Sequence, residues 1–84
     1  MVFVVLYATS EDETRVYPEV RKRFKSSGLD GIIFLKQPIS SGEPYFEVLN
    51  GSKPVYNPSK KSFSPEAMHE EIERLLTFLR DYNQ

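Results

Sequence analysis

Few side chains in this sequence are of the types that carry catalysis, because it contains no cysteine and a single histidine. Ser10, His69 and an acid could be assembled into a hydrolase triad, but no nucleophile elbow or glycine-rich oxyanion loop accompanies them. Glu66 and His69 match half of a di-iron helix motif, and one copy with one histidine cannot build that site. The sequence therefore favours a non-catalytic protein with an ordinary surface histidine.

Three groups of charged residues are the remaining candidates for ligand binding. Residues 11–13 are consecutive carboxylates that could bind a divalent cation, but acids before a helical pattern usually complement the positive end of the helix. The basic residues of segment 21–25, and Lys53 with 60–61, could receive an acidic partner, although exposed cations are normally solubilising. We therefore expect no metal and no cofactor.

Length and composition indicate one small soluble domain. The 84 residues are 39% hydrophobic and 27% charged, with six Phe and five Tyr to fill a modest core. A formal net charge of −1 provides no attraction for nucleic acid or an anionic membrane. The N-terminal apolar run lacks the basic region and length of a signal peptide, so a cytoplasmic, intracellular protein is expected by default. Residues 1–84 form a single domain, either alone or at the terminus of a longer protein.

The elements that position these residues follow the order strand, helix, strand, hairpin, helix. The apolar run from Val2 to Tyr7 predicts a central strand touched on both faces. Ser10 with Glu13 fits a capping box that starts the first helix, and Gly28 suits its end. Pro18 lies inside this helical pattern, so the helix either kinks there or starts near Tyr17. Residues 31–35 predict a second strand, parallel to the first through a right-handed crossover.

The second half of the chain predicts a hairpin and a last helix. Asn50-Gly51 suits a type I′ turn between strands at 45–49 and 52–56. Pro54 cannot donate to a strand ladder, so the fourth strand lies at a sheet edge. Ser64 caps the last helix, whose apolar face is formed by Met68, Ile72, Leu75, Leu76 and Leu79. This element order is the minimal thioredoxin-like arrangement: an α/β fold of the β-α-β-β-β-α type with a four-stranded mixed sheet.

Several short motifs resemble those of the selenoprotein W-like family. They are Phe46-Glu47-Val48, the hairpin glycine Gly51, Lys60-Lys61 before Phe63, and Pro65-Glu66 at the start of the last helix. Their order and spacing resemble the family pattern over nearly the whole chain. The resemblance implies a thioredoxin-like sheet with both helices on one face.

The resemblance also locates a redox motif that this chain lacks. In the family, an aromatic residue that closes the first strand is followed by C-x-x-C or C-x-x-U. Tyr7 stands in the aromatic position, so the motif would cover Ala8, Thr9, Ser10 and Glu11. Thiol–disulfide exchange needs a thiolate and a resolving thiol, which alanine and glutamate cannot supply. The turn is therefore expected to be a vestigial redox site.

A former substrate groove beside this turn is an alternative binding site. Pro44 stands before the third strand, where thioredoxin-like proteins often have a cis-proline beside the active site; its isomer cannot be assigned from sequence, and trans is the default. The turn from Ala8 to Glu13 together with Pro44 could bind a thiol compound or a peptide without redox turnover.

The sheet face away from the helices is the main candidate interface. Alternation as in the family directs seven residues towards the helices: Phe3, Val5, Tyr7, Ile32, Phe34, Phe46 and Val48. The opposite face then receives Val2, Val4, Leu6, Ile33, Leu35, Tyr45, Glu47 and Leu49. Only Glu47 among these is polar, whereas a solvated face should alternate. We therefore expect a redox-inactive protein-interaction or self-association module, unless the loop 37–44 or a tail covers the face.

Overall fold

The computed structural model describes residues 1–82 and contains one four-stranded sheet with two α-helices. The elements are β1 (Val2–Ala8), α1 (Ser10–Ser27), β2 (Ile32–Pro38), β3 (Tyr45–Asn50), β4 (Lys53–Tyr56) and α2 (Met68–Tyr82), with a 3-10 turn at Pro65–Ala67. The strand order is β2-β1-β3-β4, with β1 parallel to β2 and the other pairs antiparallel. The predicted α/β fold, with its mixed sheet and thioredoxin-like element order, is confirmed.

Helix α1 is capped one residue before the predicted position. The Thr9 hydroxyl accepts a hydrogen bond from the backbone N–H of Asp12 at 3.2 Å, and Ser10 is already helical. Threonine and serine are both good N-caps, so the sequence did not distinguish them. The helix runs through Pro18, which excludes a start near Tyr17, and it ends at Gly28 with a φ of 74°, as predicted.

The hairpin between β3 and β4 forms with a turn that differs from the predicted one. Asn50 pairs with Lys53, so the two loop residues are Gly51 and Ser52. Gly51 has a φ of 64° and Ser52 has no positive φ, which excludes the type I′ turn that needs two positive values. Pro54 lies on an edge strand as predicted, because β4 is the last strand of the sheet.

Both helices pack on the same face of the sheet. Their apolar residues join the inward side chains of β1 and β3 in one core, which contains Val4, Leu6, Ala8, Val16, Val20, Phe46, Val48, Phe63, Ile72, Leu75, Leu76 and Leu79. Phe34 of β2 packs at the edge of this core against Tyr17 and Phe24. The helices run parallel to each other, because the side-chain contacts between them follow the same order along both helices: Arg15 with Glu66, Glu19 with His69 and Arg23 with Glu73.

Strand β1 faces the opposite way from the prediction. Val4 and Leu6 are 0% and 1% exposed in the core, and Val2 packs against it, so their predicted place on the uncovered face is wrong. Their neighbours Phe3, Val5 and Tyr7 occupy that face instead, since successive side chains of a strand alternate. The reason is the unbroken apolar sequence of β1, in which a shift of one residue exchanges the two faces without any change in pattern.

Candidate functional site

The side chains that point away from the helices form a face that we call the open face. Strand register arranges them in three rows across β2, β1 and β3: Ile33, Phe3 and Leu49; Leu35, Val5 and Glu47; Gln37, Tyr7 and Tyr45. Of the predicted interface residues, Ile33, Leu35, Tyr45 and Leu49 lie here. The face is predominantly apolar, with one charged and one amide side chain.

The β2 side of the open face is accessible. Ile33 and Leu35 are 38% and 44% exposed, so the loop 37–44 does not cover them. β2 is also an edge strand, and within residues 1–82 no strand lies next to its outer backbone groups. An exposed edge of this kind can pair with an extended segment of another chain.

Glu47 lies in the middle row of the open face and is the most unusual residue of the sheet. It is only 6% exposed, and its Oε1 accepts a hydrogen bond from the Tyr7 hydroxyl at 3.0 Å. The rings of Tyr7 and Tyr45 stack beside it, with centroids 4.5 Å apart and planes 14° from parallel. A carboxylate therefore stands beside a pair of aromatic rings.

The Tyr7 phenol is held in its protonated form. Burial raises the pKa of Tyr7 to about 12, and the hydrogen bond and the charge of Glu47 act in the same direction. At neutral pH this hydroxyl therefore remains a donor to Oε1. The other carboxylate oxygen, Oε2, has no hydrogen-bond partner within residues 1–82.

The charge of Glu47 is not matched by a cation on the same face. No lysine, arginine or histidine in the described part of the chain forms an ion pair with it. The two lysines in strands lie on the helix side of the sheet, because Lys36 pairs with the core residue Leu6 and Lys53 pairs with Asn50. Lys36 is also engaged there, 3.7 Å from Glu13. The open face thus carries one uncompensated negative group.

The turn predicted as a vestigial redox site forms an ordinary strand-to-helix connection. Ala8 is 3% exposed in the core, and its carbonyl accepts a hydrogen bond from the Ile39 N–H at 3.0 Å. The Thr9 hydroxyl is used in capping α1, while Ser10 and Glu11 are exposed. The groups of this turn described above either belong to the sheet, as those of Ala8 do, or cap and begin α1.

Pro44, the second part of the predicted groove, is buried in the structure. No cis peptide bond occurs in the described residues, so the bond between Glu43 and Pro44 is trans. Pro44 is buried, and its carbonyl accepts a hydrogen bond from the Phe63 N–H at 2.9 Å. Its structural role is to anchor the segment that leads into α2.

Two clefts lie away from the open face. One lies along the helices between Arg23, His69 and Glu73, and there Arg23 already pairs with Glu73 across α1 and α2. The other lies beside β4 and is lined by Tyr56, Asn57, Lys61, Ser62, Glu71 and Arg74. There the Tyr56 hydroxyl and Arg74 both bond to Glu71, at 3.2 and 2.8 Å. These contacts stabilise the surface of α2 and define no reactive group.

Comparisons with models of protein families, with curated proteins and with solved structures gave no match. Within residues 1–82, no group of three or more histidine, aspartate or glutamate side chains is placed to hold a metal ion. Neither α-helix of that segment is long and apolar enough to cross a membrane.

Sequence reasoning missed Phe3, Val5 and Tyr7 as members of the open face. A signal was available in β3, where the single acid of Tyr45-Phe46-Glu47-Val48-Leu49 marks the outward side of that strand. Transferring this assignment to β1 requires the register that pairs Val5 with Glu47. These two strands are not consecutive in sequence, so no turn fixes their register locally.

Proposed function

We propose that this protein is a non-catalytic interaction module that binds a protein partner through the open face. The observation that carries the proposal is the predominantly apolar set of side chains across three strands, of which Ile33 and Leu35 on β2 are exposed to solvent while Val5 and Glu47 in the middle row are buried. A solvated sheet face normally alternates to polar side chains, and contiguous exposed apolar patches mark interaction sites. The scaffold is proposed to be selenoprotein W-like, without the thiol pair of that family.

The energetic case rests on the exposed aliphatic side chains. Burying a leucine or isoleucine completely is worth roughly 1.5 to 3 kcal/mol, and Ile33 and Leu35 have part of that still to gain. The free edge of β2 can add backbone hydrogen bonds if the partner contributes a strand. Together these contacts offset the entropic cost of association.

A different protein suits the open face better than a second copy does. Two copies stacked face to face would enclose two Glu47 carboxylates, and the face offers no cation to compensate them. Removing a charge from water without a partner costs several kcal/mol, which offsets much of the gain from the aliphatic contacts. The purified protein is therefore expected to be a monomer in sedimentation velocity.

The proposal is tested with two matched lysine substitutions. Leu35→Lys places a charge on the open face, whereas Thr77→Lys places one on the exposed side of α2, behind the sheet. Affinity capture from an extract of the source cells is compared for wild type and both variants by quantitative mass spectrometry. We expect a partner whose captured amount falls at least tenfold with Leu35→Lys and stays unchanged with Thr77→Lys. Capture that is equal for both variants contradicts it.

A further inference from the structure

We infer that the partner bound by the open face supplies an arginine side chain to Glu47, and that this contact selects the partner. The inference depends on the proposed function, because it names the chemistry of the surface that the open face binds. Its basis is the juxtaposition of a carboxylate that is 6% exposed, a free Oε2 and the stacked rings of Tyr7 and Tyr45.

The two oxygens of Glu47 have different roles in this arrangement. Oε1 is held by the Tyr7 hydroxyl at 3.0 Å, which fixes the orientation of the carboxylate. Oε2 has no hydrogen-bond partner within residues 1–82 and can accept a further hydrogen bond. A partner that covers the face excludes water from Oε2, so it has to supply a hydrogen-bond donor to that oxygen. A charged donor does so best, because it also compensates the carboxylate in the dry interface.

Arginine matches this site better than lysine does. The guanidinium is planar, donates through several N–H groups, stacks on aromatic rings and loses less hydration on burial than an ammonium. Glu47 supplies the acceptor, and the neighbouring tyrosine pair supplies the aromatic surface. Cation–π contact with an aromatic ring adds about 0.5 to 2 kcal/mol, depending on how far the cation is desolvated.

Other occupants fit the same observations less well. A metal ion would need several ligands, and no suitable group of three exists within residues 1–82. A second copy would bring its own apolar rows but also a second Glu47 carboxylate, and no cation from the open face of residues 1–82 to pair with it. An anionic lipid surface or nucleic acid would be repelled by the carboxylate. A protein segment with aliphatic side chains on either side of an arginine satisfies both the apolar rows and the charge.

The experiment uses short randomised peptides displayed on phage and selected on the full chain. Selections on wild type, Glu47→Gln and Leu35→Lys are sequenced in parallel, with Thr77→Lys as the surface control. The inference expects arginine to be enriched at one position among peptides selected on wild type and on Thr77→Lys. That enrichment is expected to disappear on Glu47→Gln, which keeps the shape of the side chain and removes its charge.

A selected peptide is then compared with its citrulline analogue, which has the shape of arginine but no charge. Affinity for wild type should fall about tenfold with citrulline, as loss of a charge-assisted hydrogen bond predicts, and should not change on Glu47→Gln. Peptides that bind wild type and are lost on Leu35→Lys without arginine enrichment overturn this inference and leave the proposed function standing. If none of the selected peptides is lost on Leu35→Lys, the result contradicts both this inference and the proposed function.

Discussion

The buried position of Leu6 on β1 and the exposed position of Leu35 on β2 predict unequal losses of stability for the same leucine-to-alanine substitution. Leu6 and Leu35 lie in adjacent strands, but Leu6 is 1% exposed beneath the helices and Leu35 is 44% exposed on the open face. Truncating a buried leucine to alanine removes its transfer free energy and leaves a cavity, at a cost of about 2 to 5 kcal/mol. Leu35→Ala removes a half-exposed side chain and should cost about 1 kcal/mol or less.

These costs are large relative to the stability of so small a domain. At roughly 0.05 to 0.15 kcal/mol per residue, a chain of this length unfolds with a free energy of about 4 to 13 kcal/mol. Because about 1 kcal/mol corresponds to ~4 to 8 °C in a domain of this size, a cost of ~3 kcal/mol for Leu6→Ala lowers the Tm by ~12 to 24 °C. The Leu35→Ala change should lower it by no more than ~4 to 8 °C.

Urea unfolding followed by circular dichroism measures both free energies with one protocol. Unchanged slopes against urea concentration would show that each variant alters stability rather than the unfolded state. Equal losses of free energy for the two variants, or a greater loss for Leu35→Ala, would refute the orientation of β1 and with it the membership of the open face.

Three further results follow from the contacts of the site. In an ultraviolet titration, Glu47→Gln should lower the pKa of Tyr7 from about 12 towards 10.0, because the carboxylate charge and its acceptance of the phenol proton raise it, although burial remains the largest cause. The stability of wild type should fall as pH rises from 10.0 to about 12, since Tyr7 and Tyr56 keep their protons in the folded state after the unfolded chain has lost them; Tyr56→Phe should make this fall shallower. Titration with glutathione should leave the NMR signals of Thr9 and Ser10 unmoved, and saturable shifts there would favour the vestigial groove.

The fold was predictable because several of its signals are local. Gly28 closes α1, Pro54 marks an edge strand, and Ser64 with Pro65 begins the turn into α2. Each of these residues acts through its own backbone geometry or hydrogen-bonding capacity, which does not depend on distant parts of the chain. The predicted cap of α1 was one residue away from the observed cap, because Thr9 and Ser10 are both able to cap a helix.

The candidate site was predictable only in part because its assembly is non-local. The apolar character of the uncovered face and the isolated acid Glu47 could be recognised in β2 and β3. The contribution of β1 was assigned to the wrong residues, since its sequence has no polar position to set the phase. The bond from Tyr7 to Glu47 spans 40 residues and depends on the pairing of β1 with β3. This strand pairing brings the Tyr7 hydroxyl to Glu47 and so fixes the orientation of the carboxylate.

Photo-cross-linking from the open face tests the central claim most directly. A benzophenone amino acid is placed at Leu35 or, as the matched control, at Thr77, and each protein is irradiated in an extract of the source cells. We predict a discrete protein adduct from the Leu35 position, with an arginine in or next to the cross-linked peptide, and none from the Thr77 position. Equal labelling from both positions, or no adduct from the Leu35 position, would contradict the account.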